Sequence, residues 1–220
     1  MVNTRRSSFV FFNGPPDAGK DTLAKRIYEE FEDSRELIVT NKTFAHPLKS
    51  GCHVLLGLDP NPDYYDLRKN EPLEEFGGRT PRSFYQHMAE NVMKPMFGKG
   101  IYGRAIANEL SRIKSSDTSS LTEYNPLRLV QLTDLGFHEE LEEIAYRFVT
   151  SVHDRPNVPQ FVVVRVHRKG RDYSMDTRSY IEKRHIAPDL QAHVEFVDID
   201  NDGDVDEAVK TTLKILQYVQ

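Results

Sequence analysis

Cys52 is the only cysteine in 220 residues. No internal disulfide can form, and a cysteine-based zinc site is excluded. A lone thiol is compatible with a reducing compartment, and the sequence predicts the cytoplasm. Long apolar runs are also missing. Behind Arg5 and Arg6 the run Phe9–Phe12 is four residues long before Asn13-Gly14 breaks it, which predicts neither a signal peptide nor a membrane span. Positive charge is not in excess. The net charge of −5 argues against a chain that coats nucleic acid over its whole surface, so an anionic ligand must meet a local basic patch. There is no internal repeat and no extended low-complexity stretch.

What is present has globular proportions, with 38% hydrophobic and 29% charged residues. The length suits one domain with insertions better than two large domains. Apolar and β-branched runs at Phe9–Phe12, Leu127–Leu132, Phe161–Val166 and Val194–Val197 predict buried strands, with Leu37–Thr40 a weaker fifth. Helical periodicity covers Thr22–Glu32, Leu48–Leu56, Pro81–Phe97, Tyr102–Ile113, His138–Phe148 and Val205–Tyr218. This alternation predicts an α/β fold with a central, mostly parallel five-stranded sheet and helices on both faces, which binds ligands beyond the carboxyl ends of its strands. Asp59–Gly78 and Ser115–Asn125 look like insertions, the second a mobile surface loop.

The most informative segment is Gly14-Pro-Pro-Asp17-Ala18-Gly19-Lys20-Asp21-Thr22, between the first strand and the first helix. Its spacing Gly14-x-x-x-x-Gly19-Lys20 lets backbone N–H groups and a helix N-terminus point at a polyphosphate, while Lys20 neutralises the β and γ oxygens. A Ser or Thr usually follows the lysine and holds Mg²⁺; here Asp21 and then Thr22 offer the metal an oxygen. Asp134 closes the run Leu127–Leu132, where a carboxylate can hold Mg²⁺ through water or cap the helix beginning near His138. Arg165–Arg184 is a basic island in an acidic chain, holding Arg165, Arg168, Lys169, Arg171, Arg178, Lys183 and Arg184 against Asp172, Asp176 and Glu182. Asp198-x-Asp200-x-Asp202-Gly203 imitates a calcium loop, but the twelfth position is Val209 instead of a bidentate Glu. His46, His53 and His87 read as ordinary polar or packing residues.

Four segments in order resemble the bacteriophage deoxynucleoside monophosphate kinases, a branch of the P-loop nucleotide kinases. They are Gly19-Lys20-Asp21-Thr22, Phe44-Ala45-His46-Pro47-Leu48-Lys49, Phe76-Gly77-Gly78-Arg79-Thr80-Pro81-Arg82 with Gln86, and Asn201-Asp202-Gly203. The resemblance implies a P-loop kinase fold as a single domain over 1–220, with a monophosphate-binding insertion at about 44–113 and a small lid at about 168–190. It implies ATP and Mg²⁺ as cofactors. ATP would be bound by Gly14, Asp17, Ala18, Gly19, Lys20, Asp21, Thr22, Asn201 and Gly203. Lys49, Arg68, Arg82, Gln86 and Asp134 would bind the acceptor, and Asp21, Thr22 and Asp134 the metal. Lys20, Arg168, Arg171 and Asp134 would be catalytic. Where the family tends to carry Asp-x-Arg, this chain has Asp134-Leu135-Gly136, so an arginine from the basic island is expected to stand in.

The activity implied is transfer of the γ-phosphoryl group of ATP to a (deoxy)nucleoside monophosphate, a step of deoxynucleotide biosynthesis. Its partner is a small-molecule substrate, no membrane is involved, and a homodimer is an analogy from related viral enzymes, which would place the chain in the host cytoplasm. Two alternatives stay open. The acceptor could be the hydroxyl of a hydroxymethyl-pyrimidine in a nucleotide or in DNA, which the missing arginine motivates, or the chain could be a non-catalytic nucleotide-binding switch.

Overall fold

A computed structural model describes residues 8–117, 127–150, 159–174, 176 and 178–216. Its frame is a parallel sheet of five strands: β1 (Ser8–Asn13), β2 (Leu37–Lys42), β3 (Leu127–Leu132), β4 (Gln160–His167) and β5 (Val194–Asp200). The order is β2-β3-β1-β4-β5, and every pairing is parallel. All five predicted strands are present, most of them a residue or more longer at their ends.

β1 lies at the centre because both of its faces are apolar. Phe9 and Phe11 enter one core with Val130, Leu132, Phe161 and Val163, while Val10 and Phe12 enter the other with Leu129, Val162 and Val164. Alternate side chains of a strand point to opposite faces, so a continuous apolar run can only be satisfied between two layers of helix. Helices α6 (Ile101–Asp117) and α7 (His138–Thr150) cover the first face; α1 (Lys20–Phe31) and α8 (Val205–Ile215) cover the second. Stacked Phe9 and Phe161 rings, with centroids 5.2 Å apart, fill the first core.

The chain from α2 (Ala45–Leu55) through α3 (Asp63–Leu67) and α4 (Pro81–Met88) forms a side unit with its own small core of Cys52, Tyr65, Leu73, Phe76 and Tyr85. Asp63–Leu67 reads only as insertion in the sequence, because one and a half turns are too short to show a period. The predicted helix Pro81–Phe97 is continuous in direction but is α4, a π-helical turn at Ala89–Met93, and then α5 (Lys94–Phe97). Helix α2 starts at Ala45 instead of Leu48, because the Asp134 carboxylate caps its first N–H groups. Helix α6 runs on to Asp117, into the predicted loop Ser115–Asn125, whose remainder lies outside the described residues, as do the last two residues of the predicted helix Val205–Tyr218. No helix among the described residues is long and apolar enough to cross a membrane.

Candidate active site

The loop Gly14–Gly19 leaves the carboxyl end of β1 and enters α1. Gly19 has φ +93°, a conformation natural to glycine, and Asp17 at φ +58° is the one non-glycine residue among the described ones with positive φ. The loop is packed from behind by the loops after β4 and β5. A Cβ on Gly14 would lie 2.6 Å from the carbonyl oxygen of Val166, and one on Gly19 would strike the side-chain amide of Asn201. Asn201 donates from Nδ2 to the Ala18 carbonyl (2.8 Å) and from its backbone N–H to the His167 carbonyl (2.8 Å). Arg168 donates to the Asp17 carbonyl at 3.2 Å, and Arg171 lies 3.4 Å from the Asp17 carboxylate. Gly203 is exposed, with no atom close to where a side chain would begin.

Lys20 folds back over the loop, its ammonium donating to the carbonyls of Gly14 (2.8 Å) and Pro15 (2.7 Å). One N–H of its three is left over. Burial holds its pKa below the usual lysine value, and the neighbouring Arg178 charge pushes the same way, against Asp21, Asp134 and Asp17. No side chain caps the start of α1, so the N–H groups of its first turn are left for solvent or a ligand. Asp21 and Thr22 stand exposed on that first turn.

Asp134 sits at the mouth of the sheet and is half-buried. Its two oxygens accept from the Phe44 N–H (2.7 Å) and the Ala45 N–H (3.0 Å), which joins the side unit to the strand end. Burial raises its pKa, and those two hydrogen bonds oppose the rise. The alternative reading of Asp134 as a cap for the helix near His138 is not met: there buried Glu140 reaches back to accept from the N–H groups of Gly136 (3.3 Å) and Phe137 (3.2 Å). Burial, then the charge of Asp134, lifts Glu140 to about 8.

The acceptor candidates share one region. Arg82 donates its backbone N–H to the Lys69 carbonyl (3.0 Å) and its guanidinium to Asn70 (3.4 Å), so the turn after Arg68 is docked on the start of α4. Gln86 follows one turn along the same helix, and both side chains are exposed. Arg68 is paired with Glu71 (2.8 Å) and Tyr64 (2.8 Å), and Lys49 is paired with Asp66 (2.6 Å). His53 is fully buried, and both ring nitrogens are occupied, by the Asp59 carbonyl (2.7 Å) and the Tyr85 hydroxyl (2.5 Å), as befits a packing residue. In the calcium-like stretch, Asp198 pairs with Arg165 and His167, and Asp202 accepts from the Lys169 N–H.

One residue escapes sequence reasoning, and another is named there only as part of the basic island. Asn13 is completely buried at the end of β1; it donates to the carbonyls of Leu135 and Ser179 and to the Tyr173 hydroxyl, and it accepts from the Ile181 N–H (2.9 Å). It thereby ties Tyr173, Ser179 and Ile181 to the start of the loop Gly14–Gly19. Within the expected lid, Ile181, Ile186 and Leu190 are buried in the main core, while Arg168 and Arg171 reach Asp17 of the loop. A polar residue ending a strand of phenylalanines is the only trace of this in the sequence. The second, Arg178, is expected by charge and position alone; the structure gives its seat, with the side chain against Gly136 and paired with Asp176.

No protein-family model matches the chain, and no curated protein matches it. Among solved structures it is similar to an APS kinase of Mycobacterium tuberculosis (12% identity, 96% of this chain and 98% of that one, TM-score 0.48). It is likewise similar to a gluconokinase of Sinorhizobium meliloti (14%, 97% and 93%, TM-score 0.42) and a thymidylate kinase of Ehrlichia chaffeensis (12%, 96% and 99%, TM-score 0.38). Likenesses at this level bear on no substrate.

Proposed function

We propose that this chain is an ATP- and Mg²⁺-dependent kinase that transfers the γ-phosphoryl group of ATP to the phosphate of a (deoxy)nucleoside monophosphate. The observation that carries this reading is Lys20 folded onto the loop carbonyls beneath an uncapped helix start, with Asp134 linking the end of β3 to a side unit bearing Arg68, Arg82 and Gln86. An anion suits the loop because the N–H groups and the ammonium supply positive charge with little rearrangement. The adenosine would lie beyond β4 and β5, where a cavity of about 560 Å³ is lined by His167, Arg168, Tyr173, Tyr180 and Asp202.

The donor set fits Mg²⁺. Asp21 or Thr22 would hold it together with Asp134, each of whose oxygens keeps a lone pair beyond its backbone hydrogen bond and can take a metal-bound water. When bound, the ion neutralises charge on the β and γ oxygens. Arg82 and Arg68 would grip the acceptor phosphate, a task for which the guanidinium fork is shaped, and Gln86 would read the base edge with one donor and one acceptor. The acceptor oxygen bonds to the γ-phosphorus as the bond from that phosphorus to the β,γ-bridging oxygen breaks. The attacking oxygen is already anionic, so no general base is needed.

The hydroxyl-acceptor alternative drew its support from the absent arginine at position 136. An arginine, Arg178, does lie against that position, which weakens this support. The test is a coupled ADP-release assay over the common and hydroxymethylated monophosphates, with modified duplex DNA at two salt concentrations as the rival substrate. Turnover on a free monophosphate, and a loss of about three orders of magnitude in Lys20→Ala with its melting temperature retained, are expected. Turnover on DNA alone, or an active Lys20→Ala, overturns the reading.

A further inference from the structure

Position 136 is a buried glycine, yet its backbone is not in the positive-φ region that calls for one. What it lacks is room. A Cβ there would lie 2.7 Å from Cδ and 3.3 Å from Cγ of Arg178, with the Asp134 carbonyl oxygen next at 3.9 Å. The space in which a side chain at 136 would begin is filled by the stem of an arginine from 42 positions further along the chain.

The head of that arginine is aimed and only partly used. Asp176 accepts from Nε (2.9 and 3.0 Å) and from Nη2 (2.5 Å), while Nη1 has no hydrogen-bond partner among the described residues. A guanidinium has five N–H groups, so three remain for a ligand without releasing the clamp. Arg178 is the strongest like charge acting on Lys20, and Asp134 attracts both. Like charges repel, and an anion between two cations converts that repulsion into attraction. Arg168 and Arg171 are placed differently. Both reach the outer rim of the loop at Asp17, and the Arg171 side chain is 49% exposed against 30% for Arg178. The less hydrated charge acts more strongly on a reacting phosphoryl group.

We propose that Arg178 is the catalytic cation of phosphoryl transfer in this chain, seated through the gap left by Gly136 and aimed by Asp176 as a positioning residue. This rests on the kinase reading above. Arg178 donates hydrogen bonds to the migrating phosphoryl oxygens as the new phosphorus–oxygen bond forms and the old one breaks; it exchanges no proton. Its neighbours make an exchange feasible, because removing the Arg178 side chain leaves position 136 with no atom closer than 3.9 Å.

The test is calorimetric titration of ADP with Mg²⁺, with and without aluminium fluoride, a stand-in for the phosphoryl group in transit. It is applied to wild type, Arg178→Gly, Arg178→Lys and the exchange Gly136→Arg with Arg178→Gly. Wild type should bind ADP and tighten when fluoride is added. Arg178→Gly should keep its ADP affinity within about threefold but lose about 10²-fold or more of the tightening, with a parallel loss in kcat. Arg178→Lys should keep part of it, and the exchange variant should regain at least about tenfold. Tightening in Arg178→Gly equal to wild type overturns the proposal. So does an equal loss of ADP affinity, which marks a structural role. An exchange variant that folds and regains nothing overturns the part given to Gly136; if it fails to fold, Arg178→Gly against wild type decides. Wild type that does not bind ADP fails the kinase reading itself, a result distinct from all of these.

Discussion

The loop that would cradle the donor and the side unit that would hold the acceptor are organised in opposite ways. Around Gly14–Lys20 the polar groups are already engaged with one another: Asn201 on Ala18, Asn13 on Ile181, Lys20 on two carbonyls. On the side unit, Arg82 and Gln86 are exposed, and Arg68 and Lys49 are held by neighbouring acids. A polyphosphate site needs many fixed dipoles, which only a packed backbone supplies; an acceptor gripped by side chains can be assembled when it arrives. Loss of a group that packs the donor loop, such as Asn13 or Gly19, should therefore disturb fold and activity together, and loss of an acceptor-side group should disturb only binding of one substrate.

Asn13→Ala puts that contrast to its hardest test. It strands the Ile181 N–H and leaves carbonyls in a buried place, each at about 1–3 kcal/mol, so a loss of roughly 3 kcal/mol or more is expected. Chemical denaturation gives the stability, and hydrogen exchange at Ile181 should quicken; an unchanged denaturation midpoint would count against the wiring described here. Gly19→Ala comes next. It imposes a φ of +93° on a residue with a Cβ and drives that Cβ into Asn201. A stability loss of about 1–3 kcal/mol and a raised KM for ATP should follow.

Arg82→Ala sharpens the other half. The KM for the monophosphate should rise about tenfold or more while the KM for ATP stays, since one guanidinium contact to phosphate is lost. Stability should move by less than about 0.5 kcal/mol, as for an exposed residue. A matching change in the KM for ATP would erase the distinction between the two halves.

Glu140 tests the packed side of the contrast through pH. Its pKa of about 8 lies above the ordinary 4.5, so between those values the folded protein keeps a proton that the unfolded chain has released. That stability is complete below pH 4.5 and disappears as pH rises through 8. Glu140→Gln can still accept from Gly136 and Phe137, and its melting temperature should stay flat between pH 5 and 8 where wild type declines. Parallel curves would refute the raised pKa.

The sheet, its helices and the glycine turn leading into α1 were legible because each depends on neighbours in sequence. Phe9–Phe12 declares a doubly covered strand, and the Gly14 to Lys20 spacing declares a turn into a helix. The acceptor segment was readable as far as Thr80-Pro81, which opens α4 with a Thr80 side chain accepting from the Ser83 N–H. Short or irregular pieces were not: α3 has too few residues for a period, and the π-turn at Ala89–Met93 leaves the apolar spacing nearly intact.

By itself the sequence determined the kinds of chemistry within reach: a lysine on a glycine loop, carboxylates at strand ends and arginines in an acidic chain. Tertiary structure alone decided which of them meet. Asp134 caps α2 across 90 positions of chain, Glu140 and not Asp134 accepts from the N–H groups that lead into α7, and Gly136 is small because Arg178 lies against it. Each is a long-range contact between groups whose local sequence would suit many partners. Packing chose one of them, because a buried charge or N–H without a partner costs more than the chain's marginal stability tolerates.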